Sequence, residues 1–460
     1  MPSLYEVCFY MGGCFFCLVF DIFKLAMIKK QILKNNIALI TEDIENAKSV
    51  ALGFYFLNAG SRYENDDERG ISHFCEHMLF KGASYKDKNL TPHDIALVFD
   101  RMGGYVNAFT ERDDVCAYCI FPALENNLNE ALKTFCAMAS CCTFPPDELE
   151  NERAVIKNEV LSVLDDSEES ALEKLAECMW HDNPLGKSIT GSVKDVESLT
   201  REALLKWYEE RFVKGELAVS VSGALKEKDY DLLAECLEKL PEHSKIKNYP
   251  GEMHVKEKAL WHSGTTFSLA RKFSQVQVYV LYPVKMPMTF NEMASLTVLN
   301  TVVGDAMSSR LFESLREKNG LCYNTYSFST CYEDAGFWGA VASCDKENVV
   351  KVSKLLLKEL NELLSVPPSD EEIKNAKAHV LGEEYLAGED SEAVMKRNFR
   401  NFAMGLELPD TEKIQDSIRN VQKNAIIELI KKLISEEKRI FFVYGPKVSL
   451  RQKKEILCKV

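Results

Sequence analysis

The chain predicts an α+β protein built from two similar halves, on three observations. The paired prolines Pro145-Pro146 that open an acidic stretch return as Pro367-Pro368 before Ser369-Asp370-Glu371-Glu372. Apolar strand-like runs, Val50 to Leu57 and Val276 to Tyr282, alternate with long helical stretches in both halves, as sheets covered by helices require. Between them, Pro241 to Lys258 is charged and proline-bearing, with Pro250-Gly251 at its centre, and reads as a linker. The expected division is an extension over 1–26, a first domain over 27–245, a linker over 246–261 and a second domain over 262–460.

Taken in order, Val7 to Met27 is apolar, but Asp21 and Lys24 interrupt it and no basic region precedes it. That is marginal for a membrane span and unlike an arginine-rich transit peptide, so no stable membrane anchor and a cytoplasmic location are expected, with the mitochondrial matrix as the alternative. The first 26 residues are expected to be a dispensable extension.

The richest chemistry lies in His73-Phe74-Cys75-Glu76-His77. Residues four apart on a helix share a face, so both imidazoles project together with the Glu76 carboxylate beside them. A hydrolytic zinc site needs neutral nitrogen ligands, a further protein ligand, an open position for water and a carboxylate to take the water's proton. H-x-x-E-H is the inverted zincin arrangement of these parts. Gly70-Ile71-Ser72 offers a helix start with Ser72 as candidate N-cap, and Lys81-Gly82 a stop. Cys75 is expected to be a packing residue.

A helix from near Thr91 is broken by Gly103-Gly104, and the runs Tyr105 to Thr110 and Asp114 to Phe121 read as a hairpin. Strand alternation sends Cys116 and Cys119 to opposite faces, which spoils their C-x-x-C as a metal site. After Pro145-Pro146, Asp147 and Glu148 suit the first turn of a helix. On that helix Glu152 and Glu159 are seven apart, about two turns, so both lie on one stripe and either could supply a third metal ligand.

Together with Ser308-Ser309-Arg310-Leu311-Phe312-Glu313-Ser314-Leu315-Arg316-Glu317-Lys318-Asn319-Gly320-Leu321-Cys322-Tyr323, these motifs give a chain that, after about Met27, resembles the pitrilysin-type (M16) metallopeptidases. The likeness is to the short-subunit branch that includes the mitochondrial processing peptidase and its bacterial homologues. The resemblance implies two α/β-roll domains, each an antiparallel-rich sheet flanked by helices. It implies that His73, His77 and Glu159 bind one zinc ion, that Glu76 is the general base and that Glu152 supports the site. Arg316 and Tyr323 are implied to reach the zinc site from the second half, the phenol donating to an oxyanion and the guanidinium anchoring a carbonyl or carboxylate. Asn107, Ala108 and Phe109 fall on the family's edge strand, which pairs with the substrate backbone. The interval from His77 to Glu159 is longer than the family's, with the surplus placed in Ser84 to Pro92. Laying Asn151 on Asn375 puts Glu152 on Ala376 and Glu159 on Glu383. Laying Gly82 on Gly304 puts Ser295, Val298 and Leu299 where His73, Glu76 and His77 stand, so the second half is expected to hold no metal. A chain of two halves is about half the enclosing clamshell of longer members, which implies a dimer, a homodimer first and a heterodimer as the alternative.

Composition fits an enzyme of this kind. A net charge of -14 over 460 residues, without a basic cluster, argues against nucleic acid. Such a field draws basic peptides. Fifteen scattered cysteines, an odd number in a chain too large to need staples, are expected to be reduced thiols. The expected function is a zinc-dependent endopeptidase acting on peptides or presequence-like unfolded segments. The alternative is a non-catalytic core or partner subunit, disfavoured by retention of His73, Glu76, His77 and Glu159 and by the single glycine in Val302 to Met307. An unrelated hydrolase or metal-binding scaffold is disfavoured by the segment ending at Tyr323.

Overall fold

The computed structural model describes residues 28–85, 88–247, 252–255, 257–406 and 408–458. The expected extension over 1–26 and the Pro250-Gly251 centre of the linker lie outside the described residues.

The first half contributes β1 (Lys29–Ile32), β2 (Ala38–Asp43), β3 (Ser49–Leu57), a separate hairpin of β4 (Ala83–Tyr85) and β5 (Lys88–Leu90), then β6 (Tyr105–Thr110), β7 (Asp114–Pro122) and β8 (Glu216–Gly223). The second contributes β9 (Gly264–Leu269), β10 (Gln275–Val284), β11 (Cys322–Cys331), β12 (Gly336–Asp345) and β13 (Ile440–Gly445). The main sheets run β6-β7-β3-β8-β2-β1 and β11-β12-β10-β13-β9. From β6 or β11 inward, each makes three antiparallel pairings and then one parallel pairing, β8 with β2 and β13 with β9. The doubled sequence is therefore a doubled α+β fold, and β6 and β11 are equivalent edges. The hairpin of β4 and β5 occupies the Ser84 to Pro92 segment. Among the described residues no helix is long and apolar enough to cross a membrane.

β3 and β10 are buried along almost their whole length because both faces of each sheet are covered. On the first sheet's outer face, Phe54, Phe56 and Cys119 pack with Phe74, Phe99 and Phe135 from helices of the same half. The inner face presents Tyr55, Cys116, Tyr118 and Ala218 to Met395 and Phe399 of the helix Ser391–Ala403, which belongs to the second half in sequence. Phe399 stacks on Tyr55 with ring centroids 3.5 Å apart, and Ser220 Oγ donates to the Met395 carbonyl at 2.9 Å. The exchange is mutual. Ala171, Leu175, Met179 and Trp180, in and just after the helix Ser167–Met179, cover Tyr279, Leu281, Phe442 and Tyr444 of the second sheet. Cys116 and Cys119 do face opposite sides, and the twelve described cysteines are unpaired.

Two polar locks fix the halves at the mouth between β6 and β11. Arg62, its side chain 2% exposed, pairs at 2.8 Å with Asp113 in the β6–β7 turn and at 2.8 Å with Asp334 in the β11–β12 turn. The linker's His254 sits between Glu216, 3.0 Å from Nε2, and Glu333, 3.1 Å from Nδ1. Burial would favour the neutral ring, but the two carboxylates win and raise its pKa from 6.5 to about 9.

Phe399→Ala should cost about 3–5 kcal/mol, the usual range for emptying a buried aromatic site. In hydrogen exchange the lost protection should extend to β3 and β8 of the first half; loss confined to the second half would contradict the exchange of helices. Because the folded pKa of His254 is raised, its contribution is complete below about pH 6.5 and lost as pH rises through about 9. His254→Gln should therefore be less stable than wild type at pH 7 by denaturant unfolding, with the gap narrowing above pH 9. A gap independent of pH would mean that the ring acts by packing alone.

Candidate active site

The motif helix, Ile71–Met78, starts in a tight corner. Gly70 has φ +83°, and a Cβ on it would lie 2.5 Å from the Thr190 carbonyl, so glycine is required. Ser72, the expected N-cap, instead lies one residue inside the helix. The backbone N–H groups of Gly70 and Ser72 donate at 3.0 Å each to the buried carboxylate of Glu64, whose pKa burial pushes up to about 7. The cap thus comes from a preceding turn. Phe74, Cys75 and Met78 fill the core, leaving His73, Glu76 and His77 on the opposite side.

The second helix, Pro146–Asp165, follows the paired prolines as expected and carries Glu152 and Glu159 on one stripe. The carboxylate of Glu159 lies 3.5 Å from His73 Nε2 and 3.4 Å from His77 Nε2. One ligand atom from each of the three falls within 4.8 Å of the others. Tetrahedral ligands bonded to zinc at about 2.0–2.1 Å are about 3.3 Å apart, so two imidazole nitrogens and one carboxylate oxygen at these separations fit that ion. Glu152 is not in this group. It accepts at 2.9 Å from His77 Nδ1 and pairs at 2.6 Å with Lys81. A proton on Nδ1 leaves the Nε2 lone pair of His77 free for a metal, the usual task of an outer carboxylate. Of the two glutamates left open by helix spacing, Glu159 lies close to both Nε2 atoms, whereas Glu152 meets the Nδ1 side of His77.

Electrostatics follow from this crowding. The histidine hydrogen bonds hold Glu159 well below the usual carboxylate range. For Glu152 burial opposes ionisation, but His77 and Lys81 overcome it and keep the group lowered. His77 is raised to about 9 because Glu152 and Glu159 outweigh its burial. Glu76, 8% exposed, goes the other way: burial raises it, with His73 and His77 pulling it partly back. Thr110 Oγ1 donates to the Glu76 carboxylate at 2.9 Å and fixes its direction.

These groups open onto a cavity of about 750 Å3 between the halves. Its walls include Asn107, Ala108, Phe109 and Thr110 of β6, Glu169, Leu172 and Glu173 of the helix Ser167–Met179, and Phe328 and Thr330 of β11. Among the described residues β6 is an edge strand, paired with β7 alone, and the Asn107 side chain accepts from the Ala108 N–H at 2.9 Å. Arg316 and Tyr323 are brought together but stand outside the cavity lining. Arg316 Nη1 donates to the Tyr323 carbonyl at 3.2 Å, and its guanidinium carbon lies 4.8 Å from the centre of that ring. Tyr323 occupies a register shift between Cys322 and Asn324 of β11, a bulge that leaves its side chain 79% exposed. Arg310, in the same segment, is structural: it grips Glu372 through Nε and Nη2 at 2.6 and 3.0 Å.

Sequence reasoning missed Lys81, Glu64, Glu169 and Glu173 as parts of this region, and placed Thr110 on the edge strand without its bond to Glu76. Lys81 was findable, being one helical turn after His77. The wall from Ser167–Met179 was not, because nothing local says that this helix crosses to the other sheet. In the second half, Ser295, Val298 and Leu299 are buried in the helix Phe290–Asn300, and among the described residues no metal-holding group of His, Cys, Asp or Glu forms there.

Comparison with known proteins bears on the family and the fold. Residues 38–193 match the family described as Insulinase (Peptidase family M16), and residues 198–380 match the Peptidase M16 inactive domain. An uncharacterized zinc protease of Bacillus subtilis is 29% identical over 412 residues, 89% of this chain and 97% of that protein. One of Rickettsia felis is 29% identical over 403 residues, 88% of this chain and 94% of that protein. Among solved structures, a peptidase M16 inactive domain from Pseudomonas fluorescens superposes with a TM-score of 0.81 at 17% identity, covering 92% of this chain and 98% of the other. A protease from Helicobacter pylori gives 0.80 at 19%, covering 92% and 100%. With both family descriptions matched in tandem and the two-sheet fold shared, the chain belongs to peptidase family M16.

Proposed function

We propose that the protein is a zinc-dependent endopeptidase acting on extended peptides, and the observation that carries this reading is the convergence of His73, His77 and Glu159 beside Glu76 on one cavity wall. The relatives named zinc proteases support it. When bound, zinc supplies a Lewis acid that lowers the pKa of water and polarises the scissile carbonyl. The remaining work falls to side chains of the chain itself. His73 and His77 give Nε2 lone pairs and Glu159 a carboxylate oxygen to hold the ion. Glu152 accepts the Nδ1 proton of His77 and so keeps that ring turned toward the ion, while Lys81 balances the Glu152 charge. Glu76 takes a proton from the attacking water and returns it to the departing amine, a task suited to a carboxylate whose pKa burial raises. Thr110 keeps its oxygens aimed.

Substrate is held in β conformation along β6, whose free edge faces the cavity. A peptide strand would take over the Ala108 N–H that the Asn107 side chain now occupies. Glu169 and Glu173 join Glu76 and Glu159 in a lining whose basic side chain is Arg112, so carboxylates prevail there, which favours basic side chains and supports presequence-like peptides as substrates. Tyr323 and Arg316, on the bulged end of β11, are proposed to act after the β11 side approaches the substrate, with the phenol as oxyanion donor. A non-catalytic partner role is less well supported: the inactive-domain match covers 198–380, whereas the four zinc-site residues lie in 73–159.

Purified wild type should contain one tightly held zinc per chain. Glu159→Gln should lose most of it, Glu152→Gln should keep it, and Glu76→Gln should keep it while abolishing peptide hydrolysis; reversal of the two glutamate results, or near-normal turnover of Glu76→Gln, would refute the assigned roles. Tyr323→Phe should lower turnover by about tenfold to a thousandfold, the range for one oxyanion donor, with zinc content unchanged. Undiminished turnover would make Tyr323 a surface residue only.

A further inference from the structure

We propose that His181, Asp182 and His262 form a second site, for a divalent transition-metal ion of the zinc type, that joins the two halves beside the cavity. His181 and Asp182 come just after the helix Ser167–Met179, beyond Trp180, and His262 lies two residues before β9. One ligand atom from each lies within 4.8 Å of the others. Asp182 reaches a nitrogen of each ring, with Oδ1 2.7 Å from His181 Nδ1 and Oδ2 3.9 Å from His262 Nε2. The ring centroids are 3.9 Å apart at 31°.

The backbone sets this meeting in place. His262 N–H donates to the Met179 carbonyl at 3.1 Å, and Asn183 N–H to the Trp180 carbonyl at 3.0 Å, so the strand lead-in is stitched to the helix end. Two imidazole nitrogens and one carboxylate oxygen, with water completing the shell, suit zinc, copper or nickel better than calcium or magnesium. Bringing the donors to bonding distances of about 2.0–2.2 Å needs movements on the order of 1 Å, which solvent-exposed side chains have the rotamer freedom to make. The position at a helix C-terminus, where carbonyls carry partial negative charge, favours a cation. His181 and Asp182 are exposed, so the cluster is not explained by core packing.

The site is distinct from that of His73, His77 and Glu159, yet it adjoins the same chamber. Met179 and Trp180, immediately before His181, line the cavity, and Trp180 also packs edge-on against Trp261, immediately before His262. An ion here clamps the end of the exchanged helix to the segment entering the second sheet and stiffens one wall of the cavity. Its exposed ligands make it the weaker site, filled as free zinc rises.

Equilibrium dialysis of the full chain against zinc chloride tests this without reference to activity. At saturation the His181→Ala/His262→Ala double variant should bind one ion fewer than wild type, and combining it with Glu159→Gln should remove one more. The difference between wild type and the double variant is the readout, so it stands whatever the catalytic centre holds. Asp182→Asn, which preserves shape, should weaken this ion's binding by about tenfold or more, as loss of a ligand must exceed loss of an outer partner. Unchanged circular dichroism would show that the variants are folded. Equal uptake by wild type and the double variant, or an unaltered Asp182→Asn isotherm, would overturn the proposal.

Discussion

The cavity between the halves depends on the exchange of one helix from each. A sheet with two apolar faces must cover both, and here each half covers only its outer face with its own helices. Tyr55, Tyr118 and Ala218 would otherwise meet water on one side, and Tyr279, Leu281 and Phe442 on the other. Exchanging Ser167–Met179 for Ser391–Ala403 removes both apolar surfaces, at roughly 25 cal/mol per Å2 buried. The same exchange carries Glu169, Leu172 and Glu173 into the wall facing β6. Packing and site are consequences of one topological choice, and the Arg62 and His254 locks hold the mouth at that spacing.

At one wall of the cavity carboxylates outnumber the fixed cations. Glu76, Glu152 and Glu159 surround two imidazoles, and Lys81 offsets only one of the carboxylates. The carboxylates of Glu152 and Glu159 raise the pKa of His77 against its burial. Glu76 accepts from a threonine hydroxyl and not from a cation, and burial raises its pKa, which suits it to moving a proton.

Much of this was legible in the sequence. His73, Glu76 and His77 announce themselves by helical spacing, and Pro145-Pro146 with the acidic first turn places the second helix. The β6–β7 hairpin follows from its glycines and apolar runs, and the doubled fold from the repeated proline pairs. The choice of Glu159 over Glu152 was not readable from spacing, since two turns separate them and only the tertiary approach of the helices decides which reaches the imidazoles. Ser72 failed as an N-cap because Gly70, packed on Thr190, set the helix start earlier and a distant Glu64 took the free N–H groups. The helix exchange was hidden for the same reason: nothing in Ser167–Met179 or Ser391–Ala403 says which sheet each will cover. Arg316 and Tyr323 meet each other, as their shared motif suggests, and stand outside the cavity lining.

The central claim is that this cavity hydrolyses peptides through a metal held by His73, His77 and Glu159. Its most direct test is cleavage of an unstructured basic peptide by the purified full chain, followed by mass spectrometry before chelation, after chelation and after zinc is restored. The account predicts internal cleavage that chelation abolishes and stoichiometric zinc recovers. Cleavage indifferent to chelation, or none in the zinc-loaded protein, would contradict it.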